Sequence, residues 1–571
     1  MKIVNLILKF LLFIVKEILS FFIKLFLFLI VAVFLIGILS TKKINQDIAI
    51  RKNSYVEIDL AKKVYEKKGS IPNLLNEKDL SFYTILEALK RIGNDGAVDG
   101  VVLRLDGMGL SYGQIEEMSG LIRELKLKEK KVYAFSSTMN NNRYWLALSA
   151  DKIIMPPTAA ATVNLGGYYS EVRYYKGLLD KLGVSFQVIH AGDYKAYGEN
   201  YIRDTMSAEY RENMTEVYEK IFGAFVRDVA VIRKQNRADI ETKLLSGELM
   251  AAGPDALKKL GLIDDTRYYS EFVSQFGKNL VSLNKYILAS NIGGKTQNKN
   301  KIAVITAEGD IINTRPKARG YIFPGSLIAD LEKAKNDPDV KGIVLRINSP
   351  GGSALASDMI AGKIRELRSG KPIYVSIGGV AASGGYYIAS AGNKIYASGN
   401  SITGSIGVVS LIPNLSKLIG EKAAVKIETI QKGAYADLFS MTTAFTPERA
   451  EKLQKSCDMV YGDFLGAVAA GRNLKKEDVE KIAGGKVWLG SDARKNGLVD
   501  EIGGLNECIA GLARDLELTS WSVVEVTSGS GLNSILEDFV PLAALVRQVE
   551  EIDYLGEFWF TPLKYFPYEI R

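Results

Sequence analysis

Histidine and cysteine are nearly absent from this sequence, and their scarcity excludes several kinds of site. The 571 residues include one histidine, His190, and two cysteines, Cys457 and Cys508. A site with several histidine ligands cannot form, and any Ser-His-Asp triad or Cys-His pair would have to use His190. Two cysteines also exclude a disulfide framework and a thiolate metal cluster. We therefore expect no metal ion in this protein.

Clustered positive charge is lacking as well. The chain has 73 Lys and Arg against 65 Asp and Glu, and the resulting charge of +8 is spread along its length. Without a basic stripe, nucleic acid is not an expected partner. The glycine pairs at 351–352 and 384–385 are not followed by the Lys-Ser/Thr of a nucleotide-binding loop. We expect no cofactor.

A long apolar run near the N-terminus predicts a membrane anchor. Residues 25–39 are uninterruptedly apolar, and residues 21–23 lengthen the run if Lys24 reaches the membrane interface. Before the run, lysines recur every seven residues and form one cationic line on an otherwise apolar helix, as in a segment lying in the membrane surface; they are Lys2, Lys9 and Lys16. Residues 1–45 are therefore predicted to combine an interfacial helix with one transmembrane span.

An internal repeat organises the rest of the chain. Residues 98–106 read VDGVVLRLD and residues 340–348 read VKGIVLRIN, with five of nine positions identical at an offset of 242. Both are β-branched runs suited to buried strands, and helical stretches follow them, so each half should be an α/β unit with a largely parallel sheet. The predicted divisions are an N-terminal repeat at 46–290, a linker at 291–300, a C-terminal repeat at 301–520 and an extension at 521–571.

The repeat is asymmetric where chemistry is expected. The second half reads GGVAASGGYY around Ser383, whereas the first half has residues 140–143, Asn-Asn-Asn-Arg, at the matching place. Conversely, the first half reads HAGDYKAY around Lys195, and the matching residue of the second half is Ala436. One half has a serine and the other a lysine, as expected if a duplicated fold has divided a catalytic dyad between its copies.

Ser383 lies at a glycine-rich turn between an apolar strand and a helix. Such a turn can present a hydroxyl at a helix N-terminus, with neighbouring N–H groups free for a developing oxyanion. The alternative is a structural turn whose glycines merely permit positive φ. Two other features are interpreted as structural: the adjacent carboxylates Glu116 and Glu117 as a solvated helix face, and Asn141 and Asn142 as a degenerate surface loop.

Four motifs identify a family resemblance. They are LRINSPGGS at 345–353, AASGGYY at 381–387, TGSIGV at 403–408 and GDYKAY at 192–197. With the repeat and the anchor, they make the chain similar to the signal peptide peptidase A family in its long, duplicated form. The resemblance implies two tandem ClpP/crotonase-like repeats after the transmembrane helix, a Ser-Lys dyad across the halves, and a homo-oligomer, specifically a tetramer. One departure is Ala196–Glu199, where the family has a Ser-Ala-x-Glu-like sequence.

The resemblance also assigns roles to residues. Ser383 is the implied nucleophile, and Lys195 is the general base that takes its proton. Because burial disfavours the charged amine, Lys195 should lie in an apolar, dry pocket. Ser405 is the matching hydroxyl that would hold the amine. The backbone of Gly384 and of the turn at Gly351 and Gly352 should form the oxyanion hole.

The function expected from these residues is a membrane-anchored serine endopeptidase that degrades cleaved signal peptides and other apolar peptides. The resemblance implies one span in the inner, cytoplasmic membrane, with the soluble part on the extracytoplasmic side. Three alternatives stand: a non-catalytic scaffold of the same fold, a crotonase-like acyl-CoA enzyme, and a soluble ATP-driven chamber like ClpP. The last is disfavoured by the anchor and by the missing His-Asp pair. If Lys195 is not the base, His190 is the next candidate.

Overall fold

The computed structural model describes residues 49–66, 80–290, 298–314, 320–527 and 563–564, together with Phe21, Lys24 and Phe28, which are helical. The predicted anchor at 1–45 lies outside the described residues except at these three positions. Most of the linker at 291–300 and most of the extension at 521–571 also lie outside. Within the described part of the chain, no helix has the length and apolar character needed to cross a membrane.

The first half is an α/β unit. Its strands are β1 (Ser54–Asp59), β2 (Val64–Tyr65), β3 (Leu80–Ser81), β4 (Val98–Arg104), β5 (Lys131–Phe135), β6 (Met139–Asn140), β7 (Lys152–Met155), β8 (Val163–Asn164), β9 (Ser185–Ala191), β10 (Asp265–Thr266) and β11 (Leu280–Ser282). Its helices are α1 (Phe82–Ile92), α2 (Tyr112–Leu127), α3 (Asn141–Ala147), α4 (Lys176–Leu182), α5 (Glu199–Ile202), α6 (Ala208–Arg233), α7 (Arg237–Leu245), α8 (Pro254–Lys259), α9 (Tyr269–Ser274) and α10 (Leu283–Ala289), with a 3-10 turn at Gly277–Asn279. Six strands form a parallel sheet in the order β10-β7-β5-β4-β1-β11.

The second half repeats this plan. Its strands are β12 (Lys301–Glu308), β13 (Asp310–Ile311), β14 (Tyr321–Ile322), β15 (Val340–Ser349), β16 (Gly352–Ser353), β17 (Ile373–Ala382), β18 (Lys394–Ala397), β19 (Ile402–Gly404), β20 (Val408–Asn414), β21 (Val487–Leu489), β22 (Glu501–Ile502) and β23 (Ser522–Glu525). Its helices are α11 (Pro324–Asn336), α12 (Ala354–Leu367), α13 (Gly384–Ala389), α14 (Pro447–Arg472), α15 (Lys476–Ile482), α16 (Gly490–Lys495) and α17 (Leu505–Asp515), with a π-helical turn at Leu418–Lys422. The main sheet runs β21-β19-β17-β15-β12-β23, and β18 and β22 extend it from β17.

The two central strands of this second sheet lead to the site. β15 and β17 are buried along nearly their whole length, and they pair in parallel, so their carboxyl ends lie at the same edge. Apolar runs of this kind form strands that are covered on both faces by helices. The turn after β15 carries the NSPGGS motif, and the turn after β17 carries Ser383. The fold thus brings two of the four motifs together.

A third sheet joins the halves. Its strand order is β14-β13-β16-β24-β20-β9, where β24 (Leu563–Lys564) comes from the C-terminal extension. β9 of the first half and β20 of the second pair antiparallel over seven residues, from Ala191 opposite Val408 to Ser185 opposite Asn414. Apolar side chains of this strand pair pack against α14; for example, Ile189 of β9 and Cys457 of α14 belong to the same buried cluster. This seam positions the first half's lysine segment over the second half.

Helix α2 of the first half also packs against the second half. It begins at a capping box, in which Ser111 and Gln114 exchange side-chain and backbone hydrogen bonds. A Cβ on Gly113 would lie 2.7 Å from the carbonyl oxygen of Gly378 on β17, so glycine permits the close approach of this helix. Glu116 accepts hydrogen bonds from the N–H groups of Gly399 and Asn400, both at 3.0 Å. The interpretation of this helix face as solvated was therefore wrong.

Glu117 belongs to a buried cluster of three charges between the halves. The Arg346 side chain on β15 lies 2.7 Å from the Glu117 carboxylate and 3.0 Å from that of Glu66, and all three side chains are at most 3 % exposed. Arg346 also donates to the Ser376 hydroxyl on β17 at 2.9 Å. Two carboxylates share one guanidinium. Burial raises the pKa of Glu117 to about 7; Arg346 opposes this rise and Glu66 adds to it.

This cluster predicts a pH-dependent stability. Because the pKa of Glu117 is raised from 4.5 in the unfolded chain to about 7 in the folded one, the folded state binds more protons between these values. The free energy of unfolding should therefore fall as pH rises through this window and level off above it. Glu117→Gln keeps the shape of the side chain and removes its ionisable carboxyl group. The urea-unfolding midpoint of this variant should therefore depend less on pH than that of the wild type. Equal pH dependence in the two proteins would contradict this assignment.

Candidate active site

Ser383 lies at the junction of β17 and α13 in a strained conformation. Its φ of 56° and ψ of −120° fall where residues other than glycine are rare. Its N–H donates to the Gly404 carbonyl at 2.9 Å, and its carbonyl accepts from Tyr387 N–H at 2.9 Å. These two backbone bonds hold the turn, and the side chain is fully buried. A strained strand-to-helix turn of this type presents a nucleophile at the edge of a sheet.

Lys195 reaches Ser383 from the other half. It follows β9 by four residues, and the β9–β20 seam brings it to the carboxyl edge of the second sheet. Its Nζ lies 2.8 Å from Ser383 Oγ, 3.0 Å from Ser405 Oγ and 3.1 Å from the Ser405 carbonyl oxygen. The lysine is only 3 % exposed. The structure thus brings together Ser383, Lys195 and Ser405, which the sequence placed in three separate motifs.

Ser405 is itself held by strained backbone. Its φ is 50°, in the left-handed region, and its N–H donates to the Lys486 carbonyl at 2.8 Å. It lies between β19 and β20, and β20 is the strand that pairs with β9, four residues before the lysine. Both the hydroxyl and the carbonyl oxygen of one residue therefore face the amine. This fixes the direction in which the amine approaches Ser383.

The predicted oxyanion glycines form a tight turn beside Ser383. Gly352 has φ of 142°, and a Cβ there would lie 2.2 Å from the Ile311 carbonyl oxygen, so only glycine fits. A Cβ on Gly384 would lie 3.3 Å from Gly352 N, which places these two residues side by side. Gly351 differs from them, because its N–H donates to Ser349 Oγ at 3.2 Å. Gly352 thus lies next to Gly384, the residue that follows Ser383.

A second glycine turn supports the lysine, and sequence reasoning missed it. The Gly484 carbonyl accepts a hydrogen bond from Tyr194 N–H at 2.8 Å, one residue before the lysine. Gly485 packs on Lys195 so closely that a Cβ would lie 2.6 Å from its N and 2.8 Å from its Cβ. The only signal in the sequence is the glycine pair in KIAGGKVW, which points to a turn without saying what the turn contacts.

The extension contributes a strand at this place. β24 pairs antiparallel with β16, with Lys564 opposite Gly352 and Leu563 opposite Ser353. Leu563 is also opposite Val409 of β20. An extended backbone therefore lies between the glycine turn and the strand that follows Ser405.

The other sequence candidates lie elsewhere. His190 is exposed on β9, and its Nδ1 lies 3.2 Å from the Gly192 carbonyl oxygen, so Lys195 and not this ring occupies the position next to Ser383. Asn141, the counterpart of Ser383, is buried and donates to the Gly166 carbonyl at 2.9 Å, which corrects its interpretation as a surface loop. Among the described residues, no group of three or more His, Cys, Asp or Glu side chains could hold a metal ion.

Comparisons with known proteins agree with this geometry. The chain matches the model of peptidase family S49 over residues 124–283 and 365–519, which covers parts of both halves. It also matches the Clp protease family over residues 323–402, from α11 to the start of β19. The duplicated α/β plan is thereby confirmed, and the second half has a ClpP-like match.

Individual relatives point the same way. The chain is 34% identical to Protease 4 of Haemophilus influenzae over 454 residues, 76% of this chain and 72% of the relative. It is 31% identical to the chloroplastic serine protease SPPA of Arabidopsis thaliana, over 81% of this chain and 69% of that protein. It is 32% identical to Protease 4 of Salmonella typhi, over 79% and 74% respectively.

The glycine turn that supports Lys195 gives a matched pair of variants. Gly485→Ala should displace the lysine, and the rate at which a serine-directed phosphonate labels Ser383 should fall about tenfold to a hundredfold. Gly484→Ala is the control, because its φ of 65° imposes similar strain while its Cβ would meet nothing closer than 3.9 Å. Its labelling rate should stay near that of the wild type. Intact-protein mass spectrometry measures both, and equal rates would show that Gly485 does not position the lysine.

Proposed function

The chain belongs to peptidase family S49 and is a serine peptidase, and we propose that Ser383 and Lys195 form its catalytic dyad. The observation that carries this proposal is the 2.8 Å contact between Lys195 Nζ and Ser383 Oγ, made between two buried side chains. The family match is independent of that contact. The two residues come from different halves, as the asymmetric repeat predicts.

The contacts of Lys195 can be satisfied by a neutral amine. A neutral amine has two N–H donors and one lone pair, and three oxygen atoms lie within hydrogen-bond distance of Nζ. In the proposed ground state, the amine donates to the hydroxyl and the carbonyl of Ser405 and accepts from the Ser383 hydroxyl. Burial favours this uncharged form. Ser405 thus aims the lone pair at the proton to be removed.

The reaction follows from that arrangement. Ser383 Oγ attacks the peptide carbonyl carbon while its proton passes to Lys195 Nζ. The resulting ammonium returns the proton to the leaving amine, the C–N bond breaks, and an acyl ester remains on Ser383. Lys195 then takes a proton from a water molecule as the water oxygen attacks the ester carbon. The bond between that carbon and Ser383 Oγ breaks, the ammonium returns the proton to Oγ, and the second product leaves as a carboxylic acid. In both stages the carbonyl oxygen would be stabilised by the N–H groups of Gly352 and Gly384, the neighbouring pair.

A peptide substrate suits the main-chain groups beside the dyad. β24 shows that an extended backbone is accommodated next to β16 and β20. A substrate that displaced β24 would add to the same sheet by main-chain hydrogen bonds, which are independent of sequence. Side-chain preference would then come from the surfaces on either side of the strand.

The membrane context completes the proposal. We assign residues 1–45 to an anchor in the inner membrane, with the soluble part on the extracytoplasmic side and the chains assembled as a homo-tetramer. The apolar run at 25–39 supports the anchor. The proposed substrates are cleaved signal peptides and other apolar peptides, because an anchored site would lie next to the bilayer in which such segments remain.

Two variants test the dyad. Ser383→Ala and Lys195→Ala should each lower the hydrolysis of a fluorogenic, leucine- or alanine-rich peptide by at least about a thousandfold, because the two groups act as a unit. His190→Ala is the control and should keep wild-type activity. Wild-type activity should rise with pH, with a midpoint well below the value of about 10.4 for a free lysine, since only the neutral amine is a base.

Other outcomes point to other functions. If Lys195→Ala stays active while Ser383→Ala does not, the lysine is not the base. If the wild type cleaves no peptide in detergent or membranes, and coenzyme A raises its melting temperature, a crotonase-like acyl-CoA enzyme becomes the better hypothesis. If neither is seen and the phosphonate does not label Ser383, the chain is a scaffold of the family fold.

A further inference from the structure

A side chain of the first half closes the outer edge of the second sheet. β21 is the outermost strand beside β19, and the two pair antiparallel with Val487 opposite Gly404. An edge strand leaves main-chain N–H and C=O groups without a neighbouring strand. At Val487 both groups bind the carboxamide of Asn213 on α6, whose Oδ1 accepts from the N–H at 2.9 Å and whose Nδ2 donates to the carbonyl at 3.0 Å. One amide therefore takes the place of a further strand.

This contact is buried and joins the two halves. Asn213 and Val487 are each 4% exposed. A carboxamide offers one donor and one acceptor side by side, so it matches the two main-chain groups of a single residue. If these buried groups were unpaired, each would carry the cost of its lost hydration. Asn213 thus fixes the Val487 backbone relative to the first half.

The strand end held by Asn213 is tied to Ser383 through main-chain hydrogen bonds. The carbonyl of Lys486, one residue before Val487, accepts from the Ser405 N–H at 2.8 Å. The carbonyl of Gly404, one residue before Ser405, accepts from the Ser383 N–H at 2.9 Å. The ends of β21, β19 and β17 are thereby linked in one row. This row begins at a side chain of α6 and ends at the proposed nucleophile.

The same turn contacts the lysine. The Gly485 N–H donates to the Ile406 carbonyl at 2.8 Å, and Gly485 packs directly on the backbone of Lys195. Residues 484–487 are therefore in contact with Lys195 as well as with Ser405, which holds the amine. A shift of this turn would move both residues relative to the nucleophile.

A second residue of α6 holds the turn from the same side. The Glu216 carboxylate lies 3.0 Å from Lys486 Nζ. That ammonium group also lies 5.4 Å from the ring centroid of Tyr194, the residue before the lysine, and 4.7 Å from that of Trp488. Asn213 and Glu216 are three residues apart and share one face of the helix. Helix α6 thus holds the turn by a buried amide and by a half-buried ion pair.

We propose that Asn213 is a positioning residue for the dyad. Through the Val487 backbone, it keeps Ser405 and the supporting turn closed around the amine of Lys195, so that the amine stays buried and uncharged beside Ser383. The proposal rests on the proposed dyad and adds a second contribution of the first half to the site. The segment after β9 supplies the base, and α6 supplies the contact that keeps the base in place.

The consequence of losing this contact concerns the protonation of Lys195. The lysine is 3 % exposed, and burial favours its uncharged form. Without the Asn213 carboxamide, residues 484–487 lose their buried tie to α6, and water gains access to the amine. Solvation favours the ammonium form, so the pH at which the amine becomes neutral moves toward the value of about 10.4 for a free lysine. A loosened site should therefore need a higher pH to react.

Other ionisable groups do not account for such a change. The Cys457 thiol of α14 interacts electrostatically with Lys195, and burial raises the pKa of this thiol to about 12, so it stays neutral at the pH values of interest. The remaining ionisable groups on the lysine segment and around the supporting turn are the same in every variant compared; they are His190, Asp193, Tyr194, Glu216, Tyr461 and Lys486. A difference between variants therefore reports on the amine.

Matched asparagine substitutions in the full chain test the proposal. Asn213→Ala removes both hydrogen bonds to Val487. Asn141→Ala is the control, because Asn141 is also buried and its carboxamide binds both main-chain groups of Gly166 within the first half, the carbonyl at 2.9 Å and the N–H at 3.3 Å. The rate at which a serine-directed phosphonate labels Ser383 is measured by intact-protein mass spectrometry from about pH 6 to about pH 10, the range in which buried and free lysines titrate.

The two variants should differ in their pH profiles. The midpoint of labelling should be higher in Asn213→Ala than in the wild type by about one pH unit or more, and the two rates should approach each other at the alkaline end, where both amines are neutral. Asn141→Ala should keep the wild-type midpoint, although its urea-unfolding midpoint should also fall. If Asn213→Ala does not fold, Asn213→Ser replaces it, because its hydroxyl can hold a bridging water molecule, and a smaller shift in the same direction is expected.

Equal midpoints in the two asparagine variants would overturn the proposal and leave Asn213 with a purely structural role. Lys195→Ala in the same series reports on the proposed function separately. If Lys195→Ala labels at the wild-type rate, the dyad fails and the positioning role fails with it. If labelling is lost in Lys195→Ala while the asparagine variants share one midpoint, the positioning role alone fails.

Discussion

The pairing of β9 with β20 is the interaction on which the site depends. Lys195 and Ser383 are 188 residues apart in sequence, and they meet because this antiparallel seam joins a strand of the first half to a strand of the second. The glycine turn at Gly485 packs directly on the backbone of Lys195. The lysine main chain is therefore held by the seam and by this turn, and its amine is held by three oxygen contacts.

Much of this arrangement could be predicted from the sequence. The repeated strand motif predicted the duplicated α/β fold, and four motifs predicted the family, which the comparisons confirm. The asymmetry of the repeat singled out Ser383 and Lys195, because a residue type present in only one copy is conspicuous. The structure places these two residues in hydrogen-bond contact, and their catalytic roles remain a proposal.

The rest could not be predicted, for physical reasons. Gly485 acts through its lack of a Cβ against a residue far away in sequence, and no local pattern records such a contact. Glu117 looks like an ordinary residue of a solvated helix face, and only the docking of the halves buries it against Arg346. The anchor at 1–45, outside the described residues, and the subunit number stay predictions.

The origin of the dyad in two distant segments also orders events during synthesis. A ribosome makes the lysine-bearing repeat first and the serine later, and the supporting turn at Gly485 later still. Until that last turn has emerged and folded, nothing packs on the Lys195 backbone at this place, and the proposed dyad is incomplete. If the two residues act as the proposed dyad, a newly made chain is therefore inactive until both halves have folded against each other.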